Sequence, residues 1–203
     1  ALTVTGSCSL ATVTAGAGTI DIDGDLSGTA FTAGAGALTV NGNVSTATFT
    51  GGAGAIDIDG AVTSATGFTA SSTTTAVGAN FTPGAFTHNS GSITFDTTDG
   101  SSIGGFAFNT VTVSANKTMT GDWTCAGLLT IDSGATLTTG TNALTANAGL
   151  TANGTLDATS QVVTVDPTAV TGNLSGSGSA SFGAGALTVT GSCSLATVTA
   201  GAG

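Results

Sequence analysis

The stretch Ala1–Gly18, ALTVTGSCSLATVTAGAG, returns letter for letter as Ala186–Gly203. An 18-residue step also governs the chain between these two copies. The triplet Gly-Ala-Gly marks this step at Gly16–Gly18, Gly34–Gly36, Gly52–Gly54, Gly183–Gly185 and Gly201–Gly203. Because a fixed short period is typical of repeat architectures, the sequence predicts a fold built from repeated units.

Each 18-residue segment follows one template of single apolar residues separated by small or polar ones. Two apolar residues stand two apart, a glycine follows, and two further apolar positions complete the segment. In the first segment these apolar residues are Leu2, Val4, Cys8 and Val13. Alternation with a period of two predicts short strands, and glycine supplies the backbone freedom of the turns.

This template predicts an all-β fold, a parallel β-solenoid (β-helix) with coils of about 18 residues and roughly 10–11 coils. Residues of equal phase then stack coil on coil, about 4.8 Å apart. The handedness stays open, because an 18-residue coil also suits the left-handed hexapeptide β-helix. Stacking at equal phase predicts a core ladder of Val13, Phe31, Phe49, Phe68 and Phe86.

Two parts of the chain depart from the template. The segment Ala70–Asn89 has the weakest strand pattern, and we expect it to loop outward. Phe106, Phe108 and Trp123 leave the aromatic column, which predicts bulges or an altered cross-section.

No linker interrupts the pattern, so residues 1–203 are expected to form a single continuous solenoid. Residues 1–185 are interpreted as one repeat unit and residues 186–203 as the first coil of the next. Neither end shows a cap, and uncapped solenoid ends recruit further strands. We therefore expect the chain to associate with itself head to tail along a fibre axis, and also laterally. Ten coils per unit give an axial period of about 48 Å.

The composition excludes several classes of protein. Eleven acidic residues face a single lysine, and the net charge is −10, which argues against binding to nucleic acid. No apolar run approaches the roughly 18 residues that span a membrane. An acidic, strand-rich chain of this kind is typical of extracellular or cell-surface proteins.

Two stretches carry a resemblance to known proteins: GALTVNGNVSTATFTGGAG (Gly36–Gly54) and ATLTTGTNALTANAGLTANGTLDA (Ala135–Ala158). They resemble the repetitive β-solenoid regions of large bacterial surface proteins, namely filamentous-haemagglutinin-like adhesins and the β-strand-repeat passengers of autotransporters. The resemblance implies an extracellular role that is structural or adhesive. The strict 18-residue step departs from those families, whose coils are usually longer.

Alternating aspartates form the main candidate for a binding site. Carboxylates at alternate positions face the same side of a strand, and oxygen ligands of this kind suit Ca²⁺. The candidate residues are Asp21, Asp23, Asp25, Asp57 and Asp59. The competing interpretation is a solvated acidic face. The intervening coil has Thr39, Asn41 and Asn43 at the same positions, so the acids lie two coils apart and like charges do not stack. Asn41 and Asn43 are expected to join side-chain amide ladders, as stacked asparagines do in cross-β assemblies.

Other side chains give weaker signals. We expect Lys117 and His88 to be exposed loop residues, so the chain shows no catalytic set and is predicted not to be an enzyme. No cofactor is expected beyond the calcium candidate. Cys8 falls in the inward column, whereas a disulfide between fibres through Cys125 is left open.

These observations predict a structural subunit, or a tandem-repeat segment, of an extracellular or cell-surface filament that acts by self-association. Such a filament would serve as a fibre, sheath or matrix element. Two alternatives stay open. One is the stalk of a surface adhesin with a separate binding site. The other is an ice-binding solenoid that uses threonine arrays, such as Thr12 and Thr14 with Thr48 and Thr50.

Overall fold

The computed structural model describes residues 1–97, 99–158, 162–165, 173–175, 179–182, 193–194 and 197–200. The described residues form strands and turns, and none of them lies in a helix. Every strand pairing in the described part of the chain is parallel, which confirms the predicted parallel β-solenoid. The chain divides into two compact units, unit 1 (Ala1–Thr97) and unit 2 (Thr98–Gly203).

Unit 1 is built from two parallel sheets. Six strands pair in the order β1-β3-β5-β7-β9-β11, and the other five pair in the order β10-β8-β6-β4-β2. The strands are β1 (Leu2–Val4), β2 (Cys8–Thr14), β3 (Ile20–Ile22), β4 (Leu26–Thr32), β5 (Leu38–Val40), β6 (Val44–Thr50), β7 (Ile56–Ile58), β8 (Gly67–Thr69), β9 (Thr74–Val77), β10 (Phe86–Thr87) and β11 (Ser92–Phe95).

The register of unit 1 follows the sequence period. Leu2 lies opposite Ile20, which lies opposite Leu38, and each step equals the 18-residue period of the sequence. Phe49 lies opposite Phe68, so the one-residue slip in the sequence appears as a register step that is longer by one position. The slip leaves the parallel ladder intact, because the extra residue is taken up before β8.

Unit 2 contains three parallel sheets within its described residues. They run in the orders β14-β17-β20, β12-β15-β18-β21-β23-β25 and β13-β16-β19-β22-β24-β26. The strands are β12 (Ser101–Ile103), β13 (Ala107–Phe108), β14 (Thr110–Val113), β15 (Lys117–Met119), β16 (Trp123–Cys125), β17 (Leu129–Ile131), β18 (Thr136–Thr138), β19 (Leu144–Ala146), β20 (Leu150–Ala152), β21 (Thr155–Asp157), β22 (Val162–Val165), β23 (Asn173–Ser175), β24 (Ser179–Phe182), β25 (Cys193–Ser194) and β26 (Thr197–Ala200).

The third sheet begins where the sequence predicts an altered cross-section. Phe108 in β13 lies opposite Cys125 in β16 and comes after Phe86, the last residue of the aromatic column. The register step is also less regular in unit 2. The step from Ser101 to Lys117 is shorter than the period of unit 1, whereas the step from Leu129 to Leu150 is longer.

The core of unit 1 lies between its two sheets and contains the phenylalanines of the predicted ladder. Val13, Phe31, Phe49, Phe68 and Phe86 occupy successive register positions. The three central phenylalanines are buried, whereas Val13 and Phe86 at the two ends of the column are half-buried. Their rings stack, with a centroid distance of 5.3 Å between Phe31 and Phe49 and 4.5 Å between Phe49 and Phe68.

The expectation that Ala70–Asn89 loops outward is wrong. The segment contains β9 and β10, which pair in register with their neighbours. Phe81 is fully buried and continues the column of Val44 and Val62 through isolated bridges. The sequence pattern fails here because the buried positions Ser71 and Thr75 are polar.

Candidate functional site

One turn of unit 1 carries a side-chain ladder formed by Ser7, Asp25 and Asn43 and completed by Ala61. The Asp25 main-chain N–H donates to Ser7 Oγ at 3.1 Å. The Asn43 N–H donates to Asp25 Oδ1 at 2.7 Å, and the Ala61 N–H donates to Asn43 Oδ1 at 2.9 Å. Because turns leave main-chain donors without strand partners, each coil supplies a side-chain oxygen to the next. We call these four residues the turn ladder.

The turn ladder uses one of the aspartates predicted to bind calcium. Asn43 Nδ2 also donates to Asp25 Oδ1, at 3.1 Å, so this oxygen accepts two hydrogen bonds. Asp23 makes a longer contact, in which Asn41 Nδ2 donates to its Oδ1 at 3.5 Å. The side chains of Asn41 and Asn43 therefore donate to carboxylates of the preceding coil, at positions where the sequence predicts ladders of stacked amides.

The remaining candidates, Asp21, Asp57 and Asp59, are exposed on unit 1. Asp21 and Asp57 occupy one register column, with Thr39 between them. The spacing that the sequence predicts is thus present. Among the described residues, no group of three or more His, Cys, Asp or Glu side chains is arranged to hold a metal ion. Calcium binding stays a prediction.

The environment of Asp57 disfavours its negative charge. Partial burial raises the pKa of this carboxyl above its ordinary value of 3.8, and the negative charges of Asp59 and Asp96 raise it further. The ionised form of Asp57 is therefore disfavoured in the folded chain.

Threonine side chains form a continuous column along unit 1. Thr14, Thr32, Thr50, Thr69 and Thr87 lie at successive register positions and are exposed or half-exposed. The neighbouring column that the sequence suggests is interrupted, because Thr12 and Thr48 are separated by Ala30. The structure therefore provides one uninterrupted threonine row beside a mixed one.

Two pairs of strands end their sheets and carry exposed apolar side chains. The N-terminal edge consists of β1 and β2, and the C-terminal edge consists of β25 and β26. Large apolar side chains that are exposed in the described part of the chain are Leu2 (52%), Leu10 (52%), Leu128 (40%) and Val198 (40%). Three of these four belong to the two identical 18-residue segments.

Sequence reasoning missed the register position of Leu10, whose side chain is 52% exposed in the first coil. In the structure Leu10 lies opposite Gly28, which lies opposite the buried Thr46. Thr46 Oγ1 and Ser64 Oγ lie 3.3 Å apart and share a hydrogen bond. Alternation from Cys8 identifies Leu10, but the glycine and threonine at equal phase hide this column from a search for repeated apolar residues.

The three cysteines differ in accessibility. Cys8 lies opposite Leu26 in the predicted inward column and is half-buried, and Cys193 is exposed. Cys125 in β16 is fully buried, and burial raises its pKa to about 12. The hypothesis of a disulfide between fibres through Cys125 is therefore wrong, because the sulfur lies in the core as an unreactive thiol.

The expectation for Lys117 is also wrong. Lys117 lies in β15 and is only 1% exposed, in register between Ser101 and Leu137. Alternation along the strand places Lys117 on the same inward face as Met119, and the sequence interpretation gave its charge more weight than this position. His88 does lie in a loop, between β10 and β11, where its Nδ1 accepts the Ser90 N–H at 3.0 Å.

Comparisons with known proteins provide no relative for this chain. No family model, curated protein or solved structure matches it. Within the described residues, no helix is long and apolar enough to cross a membrane. The resemblance to bacterial surface proteins stays a prediction.

Proposed function

We propose that the chain is a structural subunit, or a tandem-repeat segment, of an extracellular or cell-surface β-solenoid filament that acts by self-association. One observation carries the proposal. The same 18-residue sequence stands at 1–18 and 186–203, and it pairs with the strand that follows it in the first segment and with the strands that precede it in the second. A segment that pairs in parallel on either side can extend a stack of coils along an axis.

The physical basis is the addition of strands to an open edge. An edge strand presents main-chain N–H and C=O groups that pair readily with a further strand. Burial of exposed apolar surface adds about 25 cal/mol per Å² to this association. Two different edges that meet in a contact that does not close into a ring generate a filament.

A structural role also suits the distribution of charge. Lys117 is the single lysine or arginine of the sequence, and it is buried in unit 2. It is therefore not presented to a substrate at the surface. We infer that the chain acts without catalysis and without a cofactor.

Electron microscopy and fibre diffraction of the purified chain test the proposal. We expect unbranched filaments with a meridional reflection at about 4.8 Å, which is the usual spacing of strands that stack along an axis. Analytical ultracentrifugation measures the assembled fraction over a range of protein concentrations. A chain that stays monomeric up to millimolar concentration would contradict the proposal.

Ice binding is the second candidate, and the row Thr14, Thr32, Thr50, Thr69 and Thr87 favours it. Its threonines repeat at the spacing of adjacent strands, about 4.8 Å. Thermal hysteresis and ice recrystallisation assays test this candidate. We expect activity to fall in Thr50→Lys and to persist in Asp21→Asn, which lies outside the row. Absence of hysteresis in the native chain would exclude this function.

A further inference from the structure

We propose that Asn41 is a site of spontaneous covalent modification, at which the side-chain amide is lost as ammonia and a third carboxylate enters a column of aspartates. The sequence contains two Asn-Gly pairs, Asn41-Gly42 and Asn153-Gly154. Asparagine is a thermolabile residue, and it reacts most readily before glycine because no side chain hinders the glycine nitrogen. This reaction requires no second copy of the chain and is independent of the proposed filament.

The reaction passes through a cyclic imide. The main-chain nitrogen of Gly42 attacks Cγ of Asn41 and forms a C–N bond. The bond from Cγ to Nδ2 breaks, and ammonia leaves with the proton of the glycine N–H. One water molecule then opens the ring. Opening at Cγ leaves an aspartate, whereas opening at the main-chain carbonyl carbon leaves an isoaspartate. Both products carry a carboxylate in place of a neutral amide.

The two Asn-Gly pairs stand in equivalent places. Asn41 follows β5 and Asn153 follows β20, and each main-chain N–H donates to a carbonyl oxygen of the preceding coil, at 2.9 Å and 2.8 Å. Both asparagines are exposed. Each also lies one position beyond the paired strands beside an aspartate, Asp23 for Asn41 and Asp132 for Asn153. A difference in reactivity must therefore come from the following glycine or from how the side chain is held.

The pairs differ at the glycine nitrogen. The Gly154 N–H donates to the carbonyl oxygen of Ile131 at 3.1 Å, and Gly154 is buried. Gly42 is half-buried, and its N–H donates no hydrogen bond to any residue that the structure describes. At the same turn of the two adjacent coils, Gly24 and Gly60 donate at 3.2 Å. Because a bonded nitrogen must first break its hydrogen bond, the nitrogen of Gly42 is the more available nucleophile.

The side chain of Asn41 is also held weakly. Its Nδ2 donates to Asp23 Oδ1 at 3.5 Å, which is at the limit of a hydrogen bond. Asn43, two residues further on, is held at both ends of its amide. Its Nδ2 donates to Asp25 Oδ1 at 3.1 Å, and its Oδ1 accepts the Ala61 N–H at 2.9 Å. Asn41 is therefore the asparagine of this turn whose Cγ can rotate towards the next nitrogen.

The modification changes the charge of one column on unit 1. Asp23, Asn41 and Asp59 follow the paired strands β3, β5 and β7 at equal register, and all three are exposed. Asn41 thus separates two carboxylates that lie two coils apart. Its conversion places negative charges on three successive coils, about 4.8 Å apart, and like charges directly opposite each other are destabilising. Unit 1 should lose stability as the protein ages.

Ageing of the folded chain at mildly alkaline pH tests the site. Digestion with pepsin, in acid that stops the reaction, followed by mass spectrometry of the peptides, measures conversion at Asn41 and Asn153 in one sample. We expect Asn41 to convert about fivefold faster, which corresponds to about 1 kcal/mol, the net free energy of one hydrogen bond. Short synthetic peptides that contain each Asn-Gly pair are the control and should convert at similar rates.

Two results of this experiment would overturn the site. One is conversion of Asn153 in the folded chain at the same rate as Asn41. The other is a folded chain in which Asn41 stays intact over the time that both peptides take to convert.

Variants at position 41 test the column of charges. Asn41→Asp carries the charge of the product, and Asn41→Gln keeps a neutral amide at the same place. We expect Asn41→Asp to unfold at a lower urea concentration than Asn41→Gln at about 0.01 M salt, and the difference to shrink at about 1 M salt, where the Debye length is about 3 Å. Circular dichroism measures both midpoints. Equal midpoints at low salt would overturn the effect of the third carboxylate.

Discussion

Phe49 lies between two other phenylalanines, with ring centroids 5.3 Å from Phe31 and 4.5 Å from Phe68. It is buried, so Phe49→Ala should leave a cavity and lower the free energy of unfolding by about 3–5 kcal/mol. Urea denaturation followed by circular dichroism measures this change. Ser45→Ala, at an exposed position of the same strand, is the control and should stay within about 0.5 kcal/mol. A loss in Phe49→Ala no larger than in the control would contradict the buried stack.

Asp57 gives unit 1 a dependence on pH. Partial burial, then Asp59 and Asp96, raises its pKa above 3.8, so the folded chain holds this proton more tightly than the unfolded chain. As the pH rises from 3.8 through the raised pKa, the unfolded chain loses this proton before the folded chain does. The stability of the fold therefore falls over this range of pH. Asp57→Asn should be more stable than the native chain at pH 7. Its stability should also fall less as the pH rises from about 3 to about 6.

The control for this pH dependence is Asp21→Asn. Asp21 lies in the same register column as Asp57, but its register neighbours are Thr3 and Thr39. Thermal melts of both variants and of the native chain at a series of pH values make the comparison. If the two substitutions change the pH profile equally, the environment of Asp57 is not its cause.

At the level of the strands, the sequence predicts unit 1 well and unit 2 less well. The pairs Ile20/Ile22 and Ile56/Ile58 repeat at a constant step, and β3 and β7 form where they stand. In unit 2 the register step varies, so a fixed period cannot locate its strands. Lys117 shows the same limit, because its burial depends on the alternation of β15 rather than on its own polarity.

The long strands of unit 1 contain an irregularity that the apolar spacing requires. Leu26 and Phe31 both face inward although they are five residues apart, and strict alternation would place them on opposite faces. Gly28 lies between them with φ at +152°, and its Cβ would collide with the carbonyl oxygen of Leu10. The neighbouring strands β2 and β6 have the same spacing with Leu10 and Thr46 at this position, so the glycine does not produce it. The register omits Ala11, Thr29 and Ala47, which is the pattern of a bulge shared by the three strands.

Gly28→Ala should destabilise unit 1 through both the backbone conformation and the collision with Leu10. A residue held in this sparsely populated region costs about 1–3 kcal/mol, and displacement of the neighbouring strand adds to it. Chemical denaturation of the variant measures the loss. Gly67→Ala is the control, because its Cβ would meet its nearest neighbours at an ordinary 3.9 Å. Equal stability of the two variants would show that β4 tolerates a side chain at this position.

For the molecule as a whole, the sequence predicts the register of the aspartates better than the calcium site that they were expected to form. Asp21 and Asp57 do share a column, as the 18-residue step requires. The hydrogen bonds of Asp25 to Asn43 could not be foreseen in detail, because they depend on turn geometry rather than on spacing. The same limit applies to Leu10, whose column becomes visible only when the strands are paired.

The distribution of charge predicts how assembled chains interact. The net charge of the chain is −10, and all eleven acidic residues lie outside the two identical 18-residue segments. Association through those segments brings no acidic side chains of the paired coils together, whereas lateral contact sets acidic faces against each other. At low ionic strength we expect single thin filaments, because repulsion extends over a Debye length of about 30 Å at 0.01 M salt.

Lateral bundling should begin when this repulsion is screened. At 1 M salt the Debye length is about 3 Å, and we expect filaments to associate side by side without a change in the axial spacing of about 4.8 Å. Electron microscopy measures filament width, and fibre diffraction measures the axial spacing on the same samples. A chain with Asp21, Asp57 and Asp59 changed to Asn serves as a comparison and should bundle at lower salt than the native chain. Bundling that is independent of salt in both chains would show that lateral contacts are not governed by these carboxylates.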